Sequence, residues 1–309
     1  MEVKMGIESF AGRVRSRVEE KLGAGCRVDV QKVNKNNGVF YTGIQVSEGG
    51  INVLPIIYID SQYQKYKKGE LTIDGAADHV VDTYRERRVG TMADIRKFLS
   101  YDSVRENVVY KLINTEKNRE LLEDIPHMEF MDLSLVFQCI VSLEETGVAS
   151  ILIHNVHMKL WGVTAEDLYA AAKENTGRLL PYEIKSMAEV LYEIREPENP
   201  GQAGHDGYGA GSADSVPMYV LSNRNRVEGA ACMLYPGLIR GFAEKAGNSL
   251  YIIPSSVHEL LLLPAEDCGE AAGIRDMIRE VNDTQVSDEE ILSYSLYYYD
   301  REEGKIKML

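Results

Sequence analysis

Residues 250–263, with the sequence LYIIPSSVHELLLL, contain two apolar runs separated by a short polar segment. The runs at 250–253 and 257–263 have the length and the large apolar side chains that are typical of buried strands. Between them lie Pro254, Ser255 and Ser256, which are residue types that favour turns. The stretch therefore predicts two neighbouring strands of a sheet in the last third of the chain.

The residues around this pair alternate between strand and helix patterns. For residues 229–235 we favour a returning strand, with the first turns of a helix as the alternative, because Pro236 suits the start of the next helix better than its middle. The order β-β-α-β-β-α-β predicts an antiparallel or mixed sheet with helices packed on it. The other predicted elements of this region are a strand at 218–222, a polar turn at 223–226, a helix that Gly247 ends, a helix at 270–282 and a hairpin of 296–299 with 305–309.

The first two thirds of the chain repeat this mixture. Apolar residues at three- and four-residue steps predict a helix at 7–22, and Asn36-Asn37-Gly38 predicts a hairpin turn. Thr164 with Asp167 three residues later predicts the start of a helix that runs to Lys173. The remaining predictions are strands at 28–33, 39–46, 51–59, 108–113, 131–141 and 148–157, and helices at 71–88 and 183–194.

Residues 196–216 differ in composition from the rest of the chain, with five glycines, two prolines and almost no residue that could fill a core. Such a segment is typical of a linker or an exposed loop. It predicts an α+β region at 1–195 and a second α+β region at 217–309, so we expect an α+β fold in two lobes.

The charge balance argues against nucleic acid as the main ligand. The chain has 48 Asp and Glu against 34 Lys and Arg, a net charge of −14. Binding to a phosphate backbone needs clustered cations, and the best clusters, Arg85 with Arg87 and Arg88 and Arg224 with Arg226, are short. An acidic decoy of a DNA-binding protein is an alternative, although the carboxylates are spread along the chain.

Four widely spaced cysteines without a CxxC pair predict reduced thiols. Cys139 and Cys232 lie in apolar runs and are interpreted as small buried residues. The N-terminus has no signal pattern, and no apolar run approaches the roughly 20 residues that span a bilayer. We therefore expect a cytoplasmic protein that does not bind a membrane.

Two histidine-containing segments are candidate chemical sites. His154 and His157 have a spacing that suits metal binding on a helix, but the strand predicted for 148–157 would direct them to opposite faces, so we predict no metal. Ser256 and His258 would share a face of an extended segment and could support nucleophilic catalysis with a carboxylate from elsewhere. A hydrogen-bonded core histidine is the alternative, and no glycine-rich nucleophile or phosphate-binding motif accompanies them.

The turn Asn223-Arg224-Asn225-Arg226 is a candidate binding site. Its guanidinium groups could hold an anion or a carboxylate of a partner through charge-assisted hydrogen bonds. A polar hairpin turn without a ligand explains the same residues.

The segments at 217–223, 229–235 and 250–259, together with the N-terminal helix and the Asn-Gly hairpin, resemble an uncharacterised bacterial family, the domain of unknown function DUF5688, which is common in gut Firmicutes. A more distant similarity is to the YtpQ-type proteins. The resemblance implies a cytoplasmic bacterial protein, sometimes carried on mobile elements, and it carries over no catalytic residue and no cofactor.

With no catalytic motif to favour an enzyme, we expect a non-enzymatic binding or accessory protein with a protein partner. The rival hypothesis is a hydrolase-like enzyme that uses Ser256 and His258.

Overall fold

The structure, a computed structural model, describes residues 5–48, 56–144, 147–195, 217–267 and 271–309, with the backbone alone at 48, 87–97, 144 and 267. Contacts between Cα atoms divide the chain into two units, Met1–Ser103 and Val104–Leu309. The pairings between described strands are all antiparallel. The predicted α+β class is confirmed.

The first unit is a three-stranded meander, in the order β1-β2-β3, that packs with helices. The predicted Asn-Gly turn is present, and Asn37 adopts the left-handed conformation with φ 59°. This conformation suits asparagine because its short polar side chain tolerates it. The elements are α1 (Ile7–Leu22), β1 (Cys26–Asn34), β2 (Phe40–Glu48), β3 (Ile56–Tyr58), α2 (Asp60–Lys68) and α3 (Ile73–Lys97).

One apolar stripe of α1 forms the centre of this unit's core. Phe10, Val14 and Val18 follow one another at four-residue steps and are fully buried. They pack with Ile44 of β2 and Val80 of α3. The helical periodicity read from the sequence therefore selects the buried face directly.

The second unit begins with a four-stranded sheet around one long strand. That strand, β6, pairs along one edge with β4 and along the other with β5 and then β7. Helix α4 (Tyr101–Val104) crosses the boundary between the units. The elements that follow it in the second unit are β4 (Val108–Asn114), α5 (Arg119–Leu122), β5 (His127–Phe130), β6 (Leu133–Glu144), β7 (Gly147–Leu152), α6 (Asn155–Trp161) and α7 (Ala165–Leu179).

Helix α7 covers the outer edge of β4 with polar side chains. Asn175 donates its amide to the carbonyl of Val108 at 3.1 Å, and the hydroxyl of Thr176 accepts the N–H of Tyr110 at 3.1 Å. An open strand edge is a template for pairing with another chain. These two bonds occupy two of the outward-facing backbone groups of β4.

The rest of the second unit is a six-stranded sheet in the order β13-β12-β10-β11-β9-β8. The two strands predicted from the LYIIPSSVHELLLL stretch are β10 and β11, which pair from Leu250 with Pro264 to Pro254 with Leu260. The elements are β8 (Tyr182–Ser186), α8 (Met187–Arg195), β9 (Tyr219–Asn223), α9 (Leu238–Ala246), β10 (Leu250–Pro254), β11 (Leu260–Pro264), α10 (Ala271–Thr284), β12 (Tyr297–Asp300) and β13 (Lys305–Met308).

A single carboxylate ties the turn between β5 and β6 to the segment before β12. Asp132 accepts hydrogen bonds from the hydroxyls of Ser293 at 2.5 Å, Ser295 at 3.0 Å and Tyr297 at 2.6 Å. Tyr297 is fully buried, and burial followed by the charge of Asp132 raises the pKa of its phenol. The phenol therefore stays a donor to the carboxylate.

Three predicted elements are wrong. The helix expected over 183–194 is the strand β8 followed by α8, because Tyr182–Ser186 alternates between two faces and pairs with β9. Helix α8 begins only after Ser186, whose N–H and hydroxyl both bond the carboxylate of Glu189 at 2.7 Å. The strand expected over 148–157 ends at Leu152, and α6 begins at Asn155.

The third error is the strand expected over 229–235, where Gly229–Leu234 forms a 3-10 helix. Both neighbours of β9 are already supplied by β8 and β11, so a returning strand would find no ladder position in this sheet. The first five residues of this helix, Gly229–Met233, are buried.

The predicted boundary at 196–216 lies outside the described residues. The strands on its two sides, β8 and β9, are partners in one sheet. Both strands belong to the unit Val104–Leu309. None of the described helices is both long enough and apolar enough to span a bilayer.

The Asp132 contacts predict a specific loss of stability. Asp132→Ala removes the acceptor of three hydroxyls and leaves the buried phenol of Tyr297 unpaired, so we expect the free energy of unfolding to fall by about 1–3 kcal/mol. Urea denaturation measures the change. The matched control is Asp283→Ala, which removes the acceptor of the exposed Tyr294 hydroxyl. Equal effects of the two substitutions would contradict the role given to Asp132.

Candidate functional site

The 223–229 loop, which runs from the last residue of β9 to the first residue of the 3-10 helix, holds two residues in an unfavourable backbone conformation. Arg226 has φ 53° and Glu228 has φ 54°, although neither is a glycine. Each such residue costs about 1–3 kcal/mol and persists only where the surroundings fix it. Backbone strain of this kind concentrates at functional positions, so the 223–229 loop is the candidate site.

Asn223 closes the loop from within. Its buried amide donates to the carbonyl of Val227 at 2.7 Å and accepts the N–H of the same residue at 3.3 Å. The N–H of Arg226 adds a bond of 2.9 Å to the carbonyl of Asn223. Asn223 was predicted as a binding residue, but its side chain is 1% exposed and is used by the loop itself.

Gly229 ends the loop at a point where no side chain fits. A Cβ atom there would lie 2.8 Å from the backbone nitrogen of Asn223, and closer still to the Ser222 hydroxyl and the His258 carbonyl. The Ser222 hydroxyl donates to that same carbonyl at 2.7 Å. The loop is therefore pressed against the segment that joins β10 to β11.

The side chain of Glu228 anchors the loop to the four-stranded sheet. Its Oε1 lies 2.6 Å from Nζ of Lys111 on β4, and its Oε2 accepts a short hydrogen bond from the amide of Gln138 on β6. Gln138 in turn accepts the hydroxyl of Ser150 on β7 at 3.0 Å. The side chains of the ion pair are only 22% and 18% exposed, so charge-assisted bonds here are stronger than at the surface.

His258 is held by the same loop. Its Nδ1 accepts the backbone N–H of Glu228 at 3.1 Å, which leaves the proton of a neutral ring on Nε2. Nε2 lies 3.6 Å from Oε1 of Glu290. The side chain is 36% exposed, and it lies before β11 rather than in a strand.

Ser256 does not contact the His258 ring. Its hydroxyl accepts the backbone N–H of His258 at 3.0 Å. A catalytic serine needs its hydroxyl on a ring nitrogen, whereas Nδ1 is occupied by Glu228 and Nε2 faces Glu290. The structure brings a histidine and a carboxylate together but leaves the predicted nucleophile outside the pair.

A charged pocket of about 430 Å³ opens beside the loop and includes both predicted arginines. Lys185 of β8 lies 2.7 Å from Glu193 and 3.1 Å from Glu183. Arg226 lies 3.4 Å from Glu193. Burial lowers the pKa of Lys185 while its hydrogen bonds to Glu193 and Glu183 raise it, and the result is a raised pKa. With Arg224, the charged pocket holds three cations against two carboxylates.

Arg224 differs from the other two cations. Among the described residues it makes no ion pair, and its side chain is exposed at the rim of the charged pocket. Its backbone N–H is fixed at 2.9 Å from the carbonyl of Pro181. A guanidinium on a fixed backbone, without a carboxylate partner, is available to bind an anion. Asn225 lies in the same turn, half-buried.

The histidine pair lies at the start of α6. The backbone N–H of His154 donates to Nδ1 of His157 at 2.9 Å, and the His154 ring contacts Asp124 at 2.7 Å. The His157 ring stacks on Trp161 with centroids 5.7 Å apart. The predicted divergence of the two rings is wrong because this segment is a helix start.

The structure describes both of the thiols that the sequence predicts to be buried. Cys139 and Cys232 are buried, and burial raises the pKa of each thiol to about 12. Cys268 lies outside the described residues. Within the part of the chain that the structure covers, no three His, Cys, Asp or Glu residues are placed to hold a metal ion.

Sequence reasoning missed Lys185, Glu193, Glu228 and Lys111. The alternation of Tyr182–Ser186 was the signal that could have placed Lys185 on a strand face. No local signal marks the pairing of Lys111 with Glu228, which lie 117 residues apart.

Comparison with known protein families finds a match over most of the chain. The model of a family described as a family of unknown function, DUF5688, matches residues 7–301. No curated protein and no solved structure matches the chain. The resemblance carried by the segments around β9, β10 and β11 is therefore confirmed.

The packing at Gly229 predicts a large effect of a single methyl group. Gly229→Ala drives a Cβ into backbone atoms on two sides, so we expect a loss of about 1–3 kcal/mol in the free energy of unfolding. Gly273→Ala on α10 is the control, because no atom lies within 4 Å of the added carbon. An unchanged urea midpoint for Gly229→Ala would contradict this packing.

The contacts of the His157 ring with His154 and Trp161 predict that the stability of the start of α6 depends on pH. Desolvation and then His154 lower the pKa of His157, with Asp124 acting in the opposite direction. In the unfolded chain the pKa of a histidine is about 6.5. The stabilisation that the neutral His157 ring gives the fold is therefore fully present above pH 6.5, and it is lost as the pH falls from there towards the lower pKa of the folded state.

Fluorescence of Trp161, the only tryptophan, measures this titration. We expect a midpoint below pH 6.5, and we expect the transition to disappear in His157→Gln. A midpoint above 6.5, or a transition that persists in the variant, would show that the ring is not held neutral at the helix start.

Proposed function

This chain belongs to the DUF5688 family, whose function is unknown, and we propose that it is a non-enzymatic binding protein that recognises an acidic group of a partner protein through the charged pocket. The observation that carries the proposal is the state of the Arg224 side chain. Its guanidinium is exposed and makes no ion pair with a described residue, in a protein whose net charge is −14.

The way the arginine is held supports the same function. Arg224 follows β9 directly, and its backbone is bonded to Pro181, while Asn223 and Glu228 fix the loop on both sides. A preorganised loop loses little entropy when a ligand binds. The strain stored at Arg226 and Glu228 is therefore consistent with a binding loop.

The composition of the charged pocket indicates the kind of group it accepts. Lys185 and Arg226 both form ion pairs with Glu193, so the charged pocket already binds a carboxylate of the chain itself. One positive charge remains in excess, and Arg224 could bind a further carboxylate with two parallel hydrogen bonds. Val190 and Ile194 supply an apolar wall.

The rival hypothesis, a hydrolase that uses Ser256 and His258, receives no support from the geometry. The serine hydroxyl accepts a backbone N–H, and both ring nitrogens face other groups. A cytoplasmic location is part of our proposal, and its support is that the fold uses Cys139 and Cys232 as small buried residues.

Selection of peptides from a random display library on the full chain tests the proposal. We expect the selected peptides to be rich in Asp and Glu and to bind Arg224→Glu at least about tenfold more weakly, since a lost charge-assisted bond is worth roughly 1.5–3 kcal/mol. The control is Arg279→Glu, an exposed arginine on α10. Selection without an acidic preference, or equal affinity for Arg224→Glu, would refute the proposal.

A further inference from the structure

The outer edge of β8 offers backbone groups that no described strand uses. β8 is the last strand of the six-stranded sheet. The bonds from Arg224 N to Pro181 O and from Met187 N to Met218 O show that odd-numbered residues of β8 pair with β9. In an antiparallel ladder the alternate residues point the other way, so Tyr182 and Ile184 direct their N–H and C=O groups outwards.

This edge differs from the outer edge of β4. There, Asn175 and Thr176 occupy the outward groups of Val108 and Tyr110. On β8, Glu189 occupies only the N–H of Ser186, the last residue of the strand. Side chains therefore occupy outward groups of β4, whereas within the described ranges no residue bonds the outward groups of Tyr182 and Ile184.

An apolar groove lies on one face of this edge. Its volume is about 730 Å³, and it is lined by Tyr182 and Ile184 of β8, Tyr219 of β9 and Phe242 of α9 among others. Tyr219 and Phe242 pack edge to face with centroids 5.0 Å apart. The Tyr182 side chain is 50% exposed. The groove therefore offers aromatic walls to an apolar side chain.

The charged pocket lies on the opposite face of the same strand. Glu183 and Lys185 alternate with Tyr182 and Ile184, so their side chains point away from the apolar groove. A segment that is extended along β8 would direct successive side chains alternately to the two faces. The side chains on one face would contact the aromatic walls of the apolar groove, and those on the other face would contact the charged pocket, which includes Arg224.

We infer that β8 binds an extended segment of a partner protein by strand addition, and that this segment alternates apolar with acidic residues. The inference rests on the proposed function, since Arg224 supplies the acidic preference. Main-chain hydrogen bonds to Tyr182 and Ile184 provide affinity, while the apolar groove and the charged pocket provide specificity. The excess positive charge of the charged pocket complements the acidic side chains.

Binding of synthetic peptides to the full chain tests the inference. The probe is a blocked octapeptide in which phenylalanine or isoleucine alternates with glutamate, and a peptide of the same composition in scrambled order is its control. Two further versions carry N-methyl groups on either the odd or the even amides. We expect one N-methylated version to bind at least about tenfold more weakly and the other to bind within about threefold of the parent, because only alternate amides face β8.

A matched pair of variants locates the binding edge. Ile184→Pro removes an outward N–H and leaves the ladder with β9 intact, since proline is tolerated where the N–H faces away from the sheet. Ile306→Pro does the same on β13, at the other edge of the sheet, where Leu309 N bonds Leu296 O. We expect peptide binding to fall about tenfold in Ile184→Pro and to stay unchanged in Ile306→Pro.

The outcomes separate this inference from the proposed function. Equal effects of the two N-methylated peptides, or of the two proline variants, would overturn strand addition even if acidic peptides still depend on Arg224. Loss of that dependence would overturn both. Sedimentation of the chain alone provides a further outcome, because a dimer that Ile184→Pro dissociates would make a second copy the occupant and overturn the assignment to a partner.

Discussion

The half-buried ion pair between Glu228 and Lys111 is the interaction on which the candidate site depends. It joins the loop of the six-stranded sheet to β4 of the four-stranded sheet, and Gln138 shares the same carboxylate. Removing one partner of such a pair leaves a charge that is poorly solvated and unpaired. The pair therefore holds Glu228 in its left-handed conformation and, through the backbone, fixes both His258 and the turn that carries Arg224.

Local patterns predicted the elements that local physics decides. The apolar stripe of α1, the Asn36-Asn37-Gly38 turn and the Thr164 cap all form as expected. The errors occur where tertiary pairing decides. Tyr182–Ser186 became a strand because β9 offers it a partner, and Gly229–Leu234 became a 3-10 helix because β9 had no free edge left. Neither fact is encoded within the segment concerned.

The candidate site was likewise predictable only where residue type alone indicates a function. Arg224 and Arg226 were identified as a possible anion site from residue type alone, and the structure brings them to one pocket. Lys185 and Glu193 could not be added without knowing that β8 lies beside β9. The sequence predicted Ser256 and His258 to share a face because they lie two residues apart in a segment expected to be extended. In the structure the chain bends before β11, and the two ring nitrogens of His258 face Glu228 and Glu290 instead.

The convergence of three hydroxyls on Asp132 has a consequence for how the protein is made. The carboxylate and its partners are separated by 161, 163 and 165 residues. During synthesis on the ribosome, the turn between β5 and β6 emerges long before Ser293, Ser295 and Tyr297 exist. The second unit consequently cannot complete this cluster of hydrogen bonds until residue 297 has been synthesised, and until then the surface that β12 and β13 cover is open to non-native contacts.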